Sequence, residues 1–275
     1  MGENQQKLVV FSDLDGTLLD RVTYSYDKAL PTIEYLREKE IPIVFCSAKT
    51  RMEQEVYRHK LKVFHPFVVE NGGAIFIPTD YFPFSFDFRK TIKGFLVIEF
   101  GTPYEKIRES LDKIRQENKL NFRGYGDMSI KEIAGLTGLD EESAELASKR
   151  EYTETIIFDA TDKEVEMALQ KIKQGGLDYA EGGRFYEVMV GNDKGKATAV
   201  LIGLYRRLWG KVTTIGIGDS LNDLPMLSTV DSPVLVQKPE GVWEQISLPQ
   251  LYKIEGIGPE GWIRAIRELV INGRD

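Results

Sequence analysis

Asp13 and Asp15, in Phe11-Ser12-Asp13-Leu14-Asp15-Gly16-Thr17, stand two residues apart directly after an apolar run. Carboxylates this close repel unless a proton or a cation lies between them. A hard divalent cation such as Mg2+ resolves the repulsion, because it takes oxygen ligands and keeps waters that a phosphate can replace. An aspartate can also attack phosphorus itself, dividing one hard displacement into two through an aspartyl-phosphate. Alone, Asp-x-Asp reads as a solvated acidic turn. Placed after a buried strand and followed by Gly-Thr, it is a sharper signal.

Three further segments carry chemistry. Ile215-Gly216-Ile217-Gly218-Asp219-Ser220-Leu221-Asn222-Asp223 repeats the strand-then-acidic-loop pattern. If its strand lies beside the first, Asp219 reaches the ion that Asp13 binds; the plain alternative is that Asp219 or Ser220 only caps a helix. Val44-Phe45-Cys46-Ser47-Ala48-Lys49-Thr50 puts Ser47 at a strand end, able to donate to a phosphoryl oxygen or to cap the next helix. Cys46 reads as a packed core residue. Gly191-Asn192-Asp193-Lys194-Gly195-Lys196 opens a helix, and Lys194 there can neutralise developing charge on a phosphate. Lys196 competes for that role, and Lys194 is nearer the loop.

These loops need a scaffold that brings strand ends together. Leu8-Val9-Val10-Phe11 and the run 41–46 are continuous apolar stretches, as expected of strands buried on both faces. Helical patterns follow each, with Ala29, Leu30, Ile33 and Leu36 on one face of the first. Strand and helix alternate, which predicts an α/β parallel sheet with crossovers. Near Tyr81-Phe82-Pro83-Phe84 the pattern changes to an α+β module, and after Val190 the first style returns. The expected organisation is therefore a Rossmann-like core of residues 1–83 and 191–275 with an inserted α+β cap of residues 84–190.

Composition bounds the function. The chain has 275 residues, 42% of them hydrophobic and 29% charged, so it can bury a sizeable core. Basic residues number 36 against 43 acidic ones, a formal charge of −7, which argues against a nucleic-acid binder. One cysteine, Cys46, excludes an internal disulfide and a cysteine zinc cluster, and two histidines, His59 and His65, exclude a histidine-rich metal site. Residues 1–6 lack the apolar stretch of a leader, position 6 fails the myristoylation pattern, and no apolar run reaches the roughly 20 residues that span a bilayer. The expectation is a cytoplasmic protein with a small-molecule partner, no nucleic acid and no membrane; its oligomeric state cannot be read.

The four segments, in this order, resemble the haloacid-dehalogenase superfamily of phosphohydrolases. The resemblance implies that Asp13 is the nucleophile and Asp15 the general acid/base. It implies that Ser47 and Lys194 bind the transferring phosphoryl group. It also implies that Asp13, Asp219 and the backbone carbonyl of Asp15 hold Mg2+, with Asp223 supporting them. The long insertion looks like the larger cap of the sugar-phosphatase branch. Shorter segments, including Ser47-Ala48-Lys49-Thr50-Arg51, Val69-Glu70-Asn71-Gly72-Gly73, Arg150-Glu151-Tyr152-Thr153 and Gly182-Gly183-Arg184-Phe185-Tyr186, look like the mannosyl-3-phosphoglycerate phosphatase family. That family releases phosphate to give mannosylglycerate, a compatible solute; a glucosyl-3-phosphoglycerate or broader sugar-phosphate phosphatase is the alternative.

A substrate with a phosphate, a carboxylate and a hexose needs cations and several polar groups around it. Lys49, Arg51, Arg150 and Arg184 are the candidate cations. Glu70 and Asn71 are candidates for the sugar hydroxyls, and Gly72 and Gly73 let a backbone approach the ligand. The plainer reading is a salt bridge within the cap for each arginine and an ordinary β-turn for Glu70–Gly73. A catalytically silent binding module would lack one of Asp13, Asp15, Lys194 or Asp219, and all are present.

Overall fold

The computed structural model describes residues 7–273; the reading of the extreme N-terminus lies outside them. The strands are β1 (Lys7–Ser12), β2 (Ile43–Phe45), β3 (Phe67–Val69), β4 (Ala74–Pro78), β5 (Lys90–Ile92), β6 (Phe95–Glu99), β7 (Phe122–Gly124), β8 (Glu154–Phe158), β9 (Asp178–Gly182), β10 (Phe185–Met189), β11 (Val212–Gly218), β12 (Ser232–Gln237) and β13 (Tyr252–Ile257). The helices are α1 (Leu30–Glu38), α2 (Arg51–Leu61), α3 (Tyr104–Asn118), α4 (Ile130–Thr137), α5 (Glu141–Ser148), α6 (Asp162–Gln174), α7 (Lys194–Trp209), α8 (Leu224–Leu227) and α9 (Pro259–Ile266).

The order β13-β12-β11-β1-β2 forms an all-parallel sheet. Its strands are apolar throughout because both faces are covered. Val10, Ile215, Ile217, Val234 and Val236 enter one core with Ile33, Leu36, Trp262 and Ile266. Val9, Phe11, Val44, Cys46 and Leu235 enter the other with Ala197, Leu201 and Tyr205 of α7. The alternation Val9–Val10–Phe11 between two cores is the period-2 geometry of a strand. β1 sits where the chain order reverses, with β2 on one side and the much later β11 on the other. Open α/β sheets bind ligands at that point.

Beyond β2 the sheet continues through a parallel bridge between Cys46 and Val68 into an antiparallel set, β3-β4-β6-β5. β5 and β6 lie past the boundary expected near residue 84, yet the backbone ladder of β6 is made with β4 and β5 and not with a strand of the inserted module. Continued ladder pairing, which satisfies backbone groups, outweighs the aromatic change at Tyr81–Phe84. The second sheet, β7-β8-β10-β9, is antiparallel and packs α3 and α6 through Ile107, Leu111, Ile156, Ile172 and Val188. The chain leaves for it after Phe100 and returns at Val190, where Thr102 N–H donates to the Val190 carbonyl at 2.9 Å. Strands β5, β7, β9 and β13 carry no clear signal in the sequence. They are short or largely exposed, so their hydrophobic pattern is faint.

Candidate active site

Parallel pairing of β1 with β11 aligns Ser12 with Ile217, and Asp13 N–H donates to the Ile217 carbonyl at 2.9 Å. The two acidic loops therefore leave adjacent strand ends. Carboxylate oxygens of Asp13, Asp219 and Asp223 all lie within 4.8 Å of one another, and all three residues are buried. Lys194 joins them: its Nζ lies 3.0 Å from Asp13 Oδ1 and 2.7 Å from Asp223 Oδ1, with the side chain 1% exposed.

Local sequence explains how Lys194 arrives there. The Asp193 carboxylate accepts from Gly195 and Lys196 N–H and caps α7, so Lys194 becomes its first helical residue. Lys196 points elsewhere, exposed, over the Phe100 ring. Asp223 organises its own loop: Oδ2 accepts Asp219 N–H at 3.1 Å and Ser220 N–H at 3.2 Å. Gly218 is needed beside it, since a Cβ there would stand 2.6 Å from the Asp223 side chain. Asp219 is not the helix cap; that role falls to Ser220.

The electrostatics match a site short of positive charge. Burial, with the neighbouring Asp223 charge, holds the Asp13 carboxyl well above the usual carboxylate range despite Lys194. Burial and Asp223 push Asp219 up to about 6. Burial alone would lower Lys194, but Asp13 and Asp223 outweigh it and hold the ammonium well above its ordinary value. Two buried carboxylate oxygens, Asp15 Oδ1 and Asp219 Oδ1, have no hydrogen-bond partner.

Ser47 is 1% exposed, and its Oγ accepts Lys49 N–H at 3.2 Å. It is not the cap of α2. Thr50 is, in a reciprocal capping box with Glu53. Lys49 Nζ lies 3.0 Å from Asp15 Oδ2 and 3.3 Å from Glu53 Oε1, with the Tyr24 ring 4.9 Å away. Burial opposes the Lys49 charge, but Asp15 and Glu53 hold its ammonium well above normal. Tyr24 adopts a left-handed backbone, φ 54°, an uncommon conformation for a bulky residue. Cys46 is a core thiol, pushed up to about 12 by burial.

The remaining candidates are mostly committed to the protein itself. Arg51 pairs with Glu55 at 2.6 Å and with Glu151 of the inserted module at 2.8 Å. Arg150 pairs with Glu187 at 3.1 Å and donates to the Ala48 carbonyl at 3.0 Å. Glu70 accepts Glu151 N–H, Tyr152 N–H and the Thr153 hydroxyl at 2.7–2.9 Å. Asn71 donates to Glu187 at 2.5 Å and accepts from Asn222 at 3.3 Å. Gly72 and Gly73 do permit close approach, but of the chain's own backbone. A Cβ on Gly72, at φ +91°, would stand 2.2 Å from the Asp193 carbonyl carbon, and one on Gly73 would stand 2.5 Å from Tyr152 Cβ. Arg184 lies exposed on the β9–β10 turn over the Phe185 ring. Glu70 and Asn71, expected at the sugar hydroxyls, make a seam between core and insertion with these partners.

Sequence reasoning missed Arg21, Glu53, Glu187 and Asn222. Asn222 lay inside a motif already singled out. Glu53 could have been found from the Thr50-x-x-Glu53 capping-box spacing. Nothing in the spacing marks Arg21 or Glu187, whose partners Asp219, Arg150 and Asn71 are distant in sequence.

The chain is similar to known proteins. A family model described as haloacid dehalogenase-like hydrolase matches residues 10–239. A glucosyl-3-phosphoglycerate/mannosyl-3-phosphoglycerate phosphatase of Methanococcoides burtonii is 47% identical over 265 residues, 96% of this chain and 97% of that protein. A mannosyl-3-phosphoglycerate phosphatase of Pyrococcus horikoshii is 42% identical, over 83% of this chain and 90% of that one. Among solved structures, a haloacid-dehalogenase subclass IIB sugar phosphatase superposes at TM-score 0.60 with 17% identity, covering 95% of this chain and 98% of that one. The sucrose-phosphatase of Synechocystis reaches TM-score 0.60 with 14% identity, covering 95% and 97%. The two superpositions speak to fold, and the two close relatives to descent: this chain belongs to the haloacid dehalogenase-like hydrolases, in the mannosyl-3-phosphoglycerate phosphatase family.

Proposed function

We propose that the chain hydrolyses the phosphate ester of mannosyl-3-phosphoglycerate and of its glucosyl counterpart, releasing the glycosylglycerate and inorganic phosphate. Asp13, held at the end of β1 beside Lys194 and the Asp219 loop, is the observation that carries this reading. The glucosyl substrate is included because the 47% identical relative bears both names.

In the first step an Asp13 carboxylate oxygen attacks phosphorus in line, and the bond from phosphorus to the glycerate oxygen breaks. Asp15 gives that oxygen its proton. In the second step Asp15 takes a proton from water, whose oxygen attacks the phosphorus of the aspartyl-phosphate and frees Asp13. Lys194 and the Ser47 hydroxyl hold the phosphoryl oxygens. Asp13, Asp219 and the backbone carbonyl of Asp15 would hold Mg2+, braced by Asp223. The bare Asp219 Oδ1 fits such a group, and the three carboxylates still outnumber the Lys194 ammonium and the Arg21 guanidinium beside them. When bound, that ion supplies positive charge to the phosphoryl oxygens. Lys49, beside Asp15, is the core cation offered to the substrate carboxylate. Residues 102–190 act as the cap domain over the site, and the substrate chemistry suits a cytoplasmic enzyme of mannosylglycerate synthesis.

Phosphate release from both substrates, with Mg2+ and with chelator, tests the proposal. Mg2+-dependent release from both is expected, with none from a folded Asp13→Asn variant. Equal rates on unrelated esters would remove the substrate assignment, and a fully active D13N would remove the covalent step.

A further inference from the structure

Arg21 stands on the loop after β1 with its side chain 43% exposed, yet its Nη1 lies 2.9 Å from Oδ2 of Asp219, which is 1% exposed. The other oxygen, Oδ1, is buried with no hydrogen-bond partner. Oδ2 is also boxed in: a Cβ on Gly16 would come within 2.7 Å of it. Asp219 N–H is tied to Asp223 Oδ2 at 3.1 Å. The carboxylate is thus held through Oδ2 and through its own backbone, and Oδ1 is left bare. The residue shares a buried acidic group with Asp13 and Asp223, one carboxylate oxygen of each lying within 4.8 Å of the others.

A buried carboxylate oxygen without a donor is costly, and the cost falls away when a cation meets it. Carboxylates that ligate metals are themselves oriented by outer hydrogen bonds, whose loss typically weakens the metal 10- to 100-fold. A guanidinium suits that task better than an ammonium, since its planar donors fix the direction of the carboxylate and its charge persists at every working pH. We infer that Arg21 is a positioning residue for the divalent cation: it clamps Asp219 Oδ2 and so presents Oδ1 to the metal. This rests on the Mg2+ reading above. A guanidinium that merely substituted for the metal charge has the opposite signature, since its removal would tighten metal binding.

Calorimetric titration of the metal-free protein with MgCl2 decides. Arg21→Ala is expected to raise the Mg2+ dissociation constant about 10- to 100-fold, with R21K recovering part of the loss. Lys28→Ala, which breaks an exposed ion pair between the segment after β1 and Glu260 of α9, should stay within about twofold, as for a surface pair. Should R21A fail to fold, R21Q is judged by the same criterion. A constant unchanged or tighter in R21A, while the wild type binds, overturns the inference alone. Absence of binding heat in the wild type overturns the Mg2+ reading along with it.

Discussion

Lys194 is the residue on which the centre of this molecule balances. It is buried between two carboxylates, and removing one partner of a buried ion pair strands the others. Lys194→Ala is therefore expected to lower the stability of the metal-free protein by about 3 kcal/mol in urea unfolding. Phosphate release should fall about 100- to 1,000-fold, the usual scale for losing one group that stabilises transition-state charge. A stability change under about 0.5 kcal/mol, the scale of an ordinary surface substitution, would show that the carboxylates do not depend on it. The residue types were legible here: Asp13, Asp15, Lys194 and Asp219 are polar where a strand end or a helix start should be unremarkable. Arg21 was not legible, because an exposed arginine in a loop is ordinary until its partner 198 residues away is seen.

At the scale of elements, strand ends and helix starts do the positioning. Parallel register sets Asp13 beside the Asp219 loop, the Asp193 cap turns Lys194 inward, and the Thr50 cap leaves the Ser47 hydroxyl free of that duty. The turn between β3 and β4 is the tightest of these joints, since the Asp193–Lys194 backbone lies where a Gly72 side chain would be. Gly72→Ala should therefore displace Lys194 as well as strain the turn. The expectation is a loss of about 2 kcal/mol or more in unfolding free energy, with kcat falling further than KM rises. A normal kcat in a destabilised variant would separate the turn from the lysine.

Across the whole molecule, core and insertion are joined by a seam of buried polar groups, of which Glu70 and Arg150 are the centres. Burial pushes Glu70 up to about 7 despite three donors, so the seam holds a carboxyl whose charge is expensive. Elsewhere in the core His65 is pushed down to about 4, by burial and then by Arg58, while Nδ1 bonds the Tyr81 hydroxyl at 2.8 Å. Its imidazole is neutral in the fold and takes up a proton near pH 6.5 once unfolded. Its contribution is intact above pH 6.5 and is lost as pH falls toward 4, by at most about 3 kcal/mol. Unfolding of wild type and His65→Gln should converge in stability between pH 7.5 and 4.5. A difference constant with pH would mean that the ring is not the group that titrates.

The parallel core and the four loops of the candidate site were legible in the residues alone. Apolar runs buried on both faces and carboxylates at their ends are local patterns, and a strand needs only its own residues to announce them. The sequence also conveyed descent, through short segments spread over the chain. Where the insertion parts from the core sheet, which glycines admit backbone and which arginines are already paired emerge from the folded chain. The boundary rests on the β4–β6 ladder, and the glycines and arginines on partners as far as 198 residues apart, whose meeting is set by packing and by the need to satisfy buried polar groups.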